Sequence, residues 1–340
     1  MADTTPTEAL GRPLPAAASA PDVPRRITAR ATGADRAFRA LLRAGGFAVF
    51  GITGLIGGFL LYRAWGTFHQ VGWKFFSTST WVLGSQRFGI ASVLPNGLII
   101  ALVALVVAVP CALTAALFIS EYAPAALKRP LIALIDLMAA IPSIVYALWG
   151  VFFLQPRMLG FSRWLSDHLG GVFPPFKVVG GDMQILFQAS PFIAGLIISL
   201  MVIPIITSIC REVFSGAPAG EREGAYALGA SRWGMIRTVV LSYGRGGMIG
   251  AIMLGFGRAM GETIVVALFI SPVYVFNWHV LHTGGLSIPG LIALWYSEST
   301  PSMLSALMAA GLVLFLLTLA VNAVAGVIIT RTRSSALTAD

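Results

Sequence analysis

Six long stretches of this chain carry almost no charge, and they decide which solvent it can fold in. A bilayer core is about 30 Å thick and an α-helix rises about 1.5 Å per residue, so about 20 consecutive apolar residues cross it. Ala44–Tyr62, Pro95–Ser120, Leu131–Leu154, Gln184–Cys210, Gly246–Ile270 and Met303–Thr330 meet that requirement. The third contains Asp136, the fifth contains Arg258 and Glu262, and the others contain no ionised side chain. Charged residues make up 11% of the chain and apolar ones 57%, against about one-quarter charged in a soluble domain. The fold class that follows is an all-α integral membrane protein with six transmembrane helices.

The flanks add domain organisation and orientation. Residues 1–43 are rich in Ala, Pro, Thr and Arg without periodicity, the composition of a disordered basic tail, and 331–340 form a second, short tail. The first apolar run starts far from Met1 and is followed by further spans, so it reads as a retained helix, not a cleaved signal. Lys and Arg concentrate on the cytoplasmic side of membrane proteins. One side collects the tail arginines, Lys128, Arg129, the arginines between 211 and 245, Arg331 and Arg333. The other holds only Arg63, Lys74, Arg87, Arg157, Arg163 and Lys177. The chain is therefore expected to be a multi-pass membrane protein with both termini cytoplasmic. These bases are scattered between spans and form no continuous face, which argues against nucleic acid as a partner. Cys111 and Cys210 read as free, packed thiols, and Trp65, Trp73, Trp81, Trp164, Trp278 and Trp295 as interfacial anchors. His279 and His282 have no Cys or carboxylate close in sequence, so no metal site is assigned.

The polar segment 211–245 between the fourth and fifth spans is where a cytoplasmic partner would dock. Ser215 or a neighbour can cap a first helix, with Pro218 near its first turn and Glu221 and Glu223 at the positive end of its dipole. Gly229 suits a left-handed C′ position and Ser231 can cap a second helix from Arg232. Glu223, Gly224 and Ala225, then Gly229, then Val239, Leu241 and Ser242 resemble, in spacing, the EAA loop by which ABC importer permeases couple to their ATPase. Gly224 stands where that motif has Ala, and Ser242 where it has Pro.

The wider chain also resembles a family. Ile141-Pro142-Ser143-Ile144-Val145-Tyr146-Ala147-Leu148-Trp149-Gly150 and Gly257-Arg258-Ala259-Met260-Gly261-Glu262-Thr263 look like the phosphate permease of the PstC type, over roughly residues 40–330. The resemblance implies the type I ABC importer permease architecture in the bacterial inner membrane, with residues 44–330 as the permease domain and 211–245 as its coupling-helix loop. It implies a second, related permease, two ATPase subunits holding ATP-Mg, and an external phosphate-binding protein. The chain itself is expected to be no enzyme and to carry no cofactor: none of Lys74, Lys128 and Lys177 is followed by the Ser or Thr that a Walker A loop needs. An ABC permease for sulfate, molybdate or an organic solute is the nearest alternative. A secondary transporter and a non-transporting phosphate sensor or scaffold are others; the repeats typical of secondary carriers are not evident.

A charge at the centre of a span costs about 2.5–3.5 kcal/mol, so Arg258 and Glu262 need a reason. At i, i+4 they would share a helix face, although Arg before Glu is the less stabilising order. Gly257 and Gly261 beside them allow a second helix to approach closely. Two readings stay open: a substrate pathway in which Arg258 attracts the anion and Glu262 limits its hold, or a structural pair locking two helices. Asp136 is either a helix-contact acid or part of a relay. The base asymmetry yields a test: single cysteines placed in 216–240, in a chain lacking Cys111 and Cys210, are expected to react only from the cytoplasmic side, and external labelling would reverse the topology.

Overall fold

The computed structural model describes residues 33–82, 87–178 and 183–337. The tail expected at 1–43 lies outside the described residues as far as residue 32; from Gly33 onward the chain is already helical. At the other end the last helix runs on to Leu337, past the expected limit at 330. The chain divides into two units, 1–53 and 54–340. The described part of the first is the opening of α1 (Gly33–Gln70), where Arg39 pairs with Asp35 at 2.8 Å and Phe38, Leu41, Phe47 and Phe50 are exposed.

The second unit continues α1 and adds α2 (Lys74–Ser77) and a two-stranded hairpin of β1 (Trp81–Val82) and β2 (Arg87–Phe88). Then come α3 (Val93–Leu117), α4 (Ala125–Ala140), α5 (Ser143–Trp149), α6 (Gln155–Leu169) and α7 (Met183–Phe187). The remaining helices are α8 (Pro191–Ser215), α9 (Ala219–Ala227), α10 (Arg232–Met235), α11 (Leu241–Met260), α12 (Ile264–Phe269), α13 (Ile288–Trp295) and α14 (Pro301–Leu337). Among the described residues, six continuous runs are long and apolar enough to cross a membrane: Gly33–Gln70, Val93–Tyr122, Ser143–Leu169, Pro191–Ser215, Arg232–Met260 and Pro301–Thr330.

The third span is not where hydropathy put it. Pro142 disfavours the helical conformation for the residue before it, and Ile141 is extended at φ −67° and ψ 127°, so the stretch Leu131–Leu154 is broken between α4 and α5. The Tyr146 hydroxyl donates across the break to the Met138 carbonyl at 2.9 Å, which also accepts from the Ile141 N–H at 3.4 Å. The continuous run long and apolar enough to cross a membrane starts at Ser143, passes a π-helical turn at Gly150–Leu154 and takes in α6. Asp136 therefore lies on α4, ahead of the span, exposed beside Thr207 and Arg211.

Helices in lipid gain little from excluding water, so close backbone approach must supply the attraction. On α3 the buried residues Gly97, Ala101, Ala104, Ala108, Ala112 and Ala116 form a stripe at helical spacing, and it packs on α8. Gly195 of α8 meets it so closely that a Cβ there would sit 2.5 Å from Val103 Cγ1 and 3.2 Å from the Ala104 nitrogen. Cys111 lies off the stripe and is exposed, whereas Cys210 is buried; the expectation that both are packed holds for Cys210 alone. The other side of α8 receives α11 in the same way, through Gly255 against Val202 and Ile206, and Gly244 against Phe214. Elsewhere the loop 271–287 is pinned by main-chain hydrogen bonds, Val280 to Pro175 and Thr283 to Leu186.

This packing sets a stability test. Gly195→Leu must push α3 away from α8 and is expected to destabilise by about 1–3 kcal/mol or more, read as a lower thermal midpoint in detergent. Gly58→Leu, whose Cβ would meet nothing within 4 Å, is expected to leave that midpoint unchanged.

Candidate functional site

The segment 211–245 is built by local chemistry. Ser215 is the last residue of α8 and caps nothing; Pro218 occupies the N-cap of α9, where its missing N–H leaves no bond unmade, and Glu221 lies in the first turn. The helix ends in a Schellman turn. Gly229 is left-handed at φ +82°, its N–H reaches the Tyr226 carbonyl at 2.9 Å, and the Ala230 N–H reaches Ala225 at 3.0 Å. The Ser231 hydroxyl then accepts from the Gly234 N–H at 3.1 Å and starts α10, which runs through a π-helical turn at Ile236–Val240 into α11.

This geometry divides the motif residues into two sets. Glu223, Gly224, Gly229 and Ser242 are exposed, while Ala225, Val239 and Leu241 pack against the core. Between them stands a residue that the sequence reading passed over: Leu228 is 91% exposed, flanked by exposed Tyr226 and Trp233. An apolar side chain just before a C′ glycine in a polar segment was the available signal. The segment is also fastened to the spans. Arg222 Nη1 donates to Glu121 Oε2 at 3.0 Å and its Nη2 to the Phe214 carbonyl at 2.6 Å. Arg232 donates to the Glu121 carbonyl and lies over the Tyr122 ring at 4.5 Å.

Arg258 and Glu262 do not share a helix face, which corrects the i, i+4 expectation. α11 ends at Met260, Gly261 turns the chain, and Glu262 swings inward to 8% exposure. Its Oε1 accepts from the Ile264 N–H at 3.2 Å and the Val265 N–H at 3.4 Å, so the carboxylate holds the start of α12. Arg258 stays on the exposed side, without an ion pair or hydrogen bond among the described residues. The two still line one open cleft of about 490 Å³, together with Ile205, Gly257, Gly261 and Asn322 of α14. Asn322, a polar group in an uncharged span, was also missed by the sequence reading. A Cβ at Gly257 would meet nothing within 4 Å, so among the described residues no helix fills the close-approach surface there. The cleft can thus present one uncompensated cation to an anion, beside a carboxylate whose position is fixed.

Comparison with known proteins places this geometry among membrane transporters. Residues 108–334 match the family described as binding-protein-dependent transport system inner membrane component. The chain is 38% identical over 295 residues to the phosphate transport system permease protein PstC 2 of Mycobacterium tuberculosis, covering 86% of this chain and 90% of that one. It is 37% identical over 266 residues to the phosphate transport system permease protein PstC of Xylella fastidiosa, covering 76% and 79%. Among solved structures it is similar to a chain of the bacterial alginate ABC transporter in complex with an alginate pentasaccharide-bound periplasmic protein, with a TM-score of 0.54. That match is 15% identical and covers 86% of this chain and 93% of that one, a likeness of fold.

The cap made by Glu262 has a measurable consequence. Glu262→Ala leaves two N–H groups without their acceptor and is expected to cost about 0.5–2 kcal/mol, seen as a lower thermal midpoint in detergent. Glu262→Gln keeps an acceptor oxygen and is expected to lose less.

Proposed function

This chain belongs to the family of binding-protein-dependent transport system inner membrane components, and from that premise we propose that it is the permease subunit of an ATP-driven phosphate importer. It is a multi-pass inner-membrane protein and a transport subunit of the ABC class. Its similarity to phosphate transport system permeases over most of its length supports phosphate as the cargo.

The observation that carries the mechanism is the open cleft with an unpaired Arg258 and an anchored Glu262. A guanidinium without an internal counter-ion is a donor set suited to an oxyanion. The neighbouring carboxylate, held by two main-chain N–H groups, cannot swing onto the arginine and keeps the anion from being held too tightly to leave. A second, related permease would close the open side of the cleft over Gly257 and Gly261, forming the other half of the route. Outside, a phosphate-binding protein would deliver the ion. Inside, two ATPase subunits carrying ATP-Mg would dock on the exposed set Glu223, Gly224 and Gly229, with Leu228 as an apolar knob and both termini of this chain on their side of the membrane. Ala225, Val239 and Leu241 would hold that surface to the spans, and Ser242, exposed at the start of α11, would border it.

The test is uptake by the reconstituted complex. A charge-assisted contact is worth about 1.5–3 kcal/mol, so Arg258→Gln is expected to slow phosphate uptake about tenfold or more. Assembly and membrane level should be unaffected, because no buried partner is orphaned, and Arg258→Lys should retain part of the activity. Recovery of uptake in the double change Arg258→Gln with Glu262→Gln would overturn the assignment, since the cleft would then hold no fixed positive charge.

A further inference from the structure

We infer that the Glu121–Arg222 ion pair is the positioning joint through which the α9–α10 segment moves the second and fourth spans. The inference rests on reading that segment as the ATPase docking surface. Three elements meet at this pair. Glu121 lies in the π-helical turn Phe118–Tyr122 that ends the second span, and its side chain is only 5% exposed. Arg222 lies on α9, with its side chain 22% exposed between the outward-facing Glu221 and Glu223. One guanidinium nitrogen binds the Glu121 carboxylate, and another binds the Phe214 carbonyl in the last turn of α8. A single planar fork therefore fastens the segment to two spans at once. Lysine, a point charge, could hold one of these bonds but not both in the same geometry. Arg232 fastens the other arm, α10, to the main chain of the same glutamate.

Two features distinguish a joint from a brace. First, the pair is joined by one hydrogen bond: Glu121 Oε1 and Arg222 Nε are buried without a partner among the described residues. The two groups can therefore exchange one donor–acceptor pairing for another while the charges stay together. Second, each arm meets a π-helical turn: α9 is tied to Glu121 within Phe118–Tyr122 of the second span, and α10 runs on into Ile236–Val240. Such turns are wider than the α-helix around them and recur at functional sites. The ion pair keeps the segment in register with the spans, and the turns let that register shift.

The test uses the complete transporter, purified with its ATPase and reconstituted with its external binding protein. ATP hydrolysis and phosphate uptake are measured together in Glu121→Gln, which keeps shape and removes charge, and in Arg222→Lys, which keeps charge and removes the fork. Both complexes are expected to assemble and to hydrolyse ATP. Phosphate moved per ATP should fall about fivefold or more in Glu121→Gln, the lower range for coupling between sites, and by less in Arg222→Lys. Wild-type uptake per ATP in both variants overturns the proposal, and so does loss of the assembled complex in Glu121→Gln, which would make the pair a folding brace. If the wild-type complex moves no phosphate, the cargo assignment fails. Stimulation of hydrolysis by the binding protein that co-purifies with the complex still separates the variants from wild type. A Leu228→Cys chain that cross-links to no ATPase overturns the docking reading itself, whatever the joint does.

Discussion

The approach of α3 to α8 along a stripe of small residues is the contact on which the rest of the structure depends. Lipid offers no reward for burying Leu against Leu, so two helices associate only where their backbones come near enough for dispersion to count. Gly195 and the alanines from Ala101 to Ala116 provide that nearness. α8 then presents its other side to α11, and the pairing brings the end of the second span beside the end of the fourth. Glu121 and the Phe214 carbonyl can be held by one arginine only because that pairing places them side by side.

What could be read from the amino acids follows the range of the chemistry involved. The number of spans was legible because length and charge suffice to define one. The turn between α9 and α10 was legible because Gly229 and Ser231 act on hydrogen bonds within a few residues of themselves. The break in the third apolar stretch was not legible, because an average over apolar residues is insensitive to Pro142, whose effect is on the backbone of Ile141. Ser215 was named as a cap by its type, although α8 simply continues to it. The Glu121–Arg222 bond joins residues 101 positions apart, and nothing local to either announces the other.

The two charges of the fifth span show a subtler limit. Spacing alone made them helical neighbours, and a continuous helix from Gly246 to Ile270 would have kept them so. Gly261 ends that helix, and the carboxylate then finds better partners in the main chain of α12 than in the arginine one turn back. The sequence pattern singled out two residues that line one cleft, but assigned them to each other. The geometry gives each a separate duty, with Glu262 holding backbone and Arg258 left available on the cleft wall.

The two glycines of the docking segment, alike in sequence, differ in kind. Gly229 sits at φ +82° with open space around it, so any side chain there strains the turn before it touches a neighbour. Gly224 is helical and equally uncrowded, so a side chain there strains nothing within the chain and meets only what docks. Genetic suppression should separate them. Damage at Gly229 calls for compensating changes in cis, within the turn that must be reshaped, whereas on the docking proposed above damage at Gly224 would be relieved in trans, by a smaller residue on the partner surface.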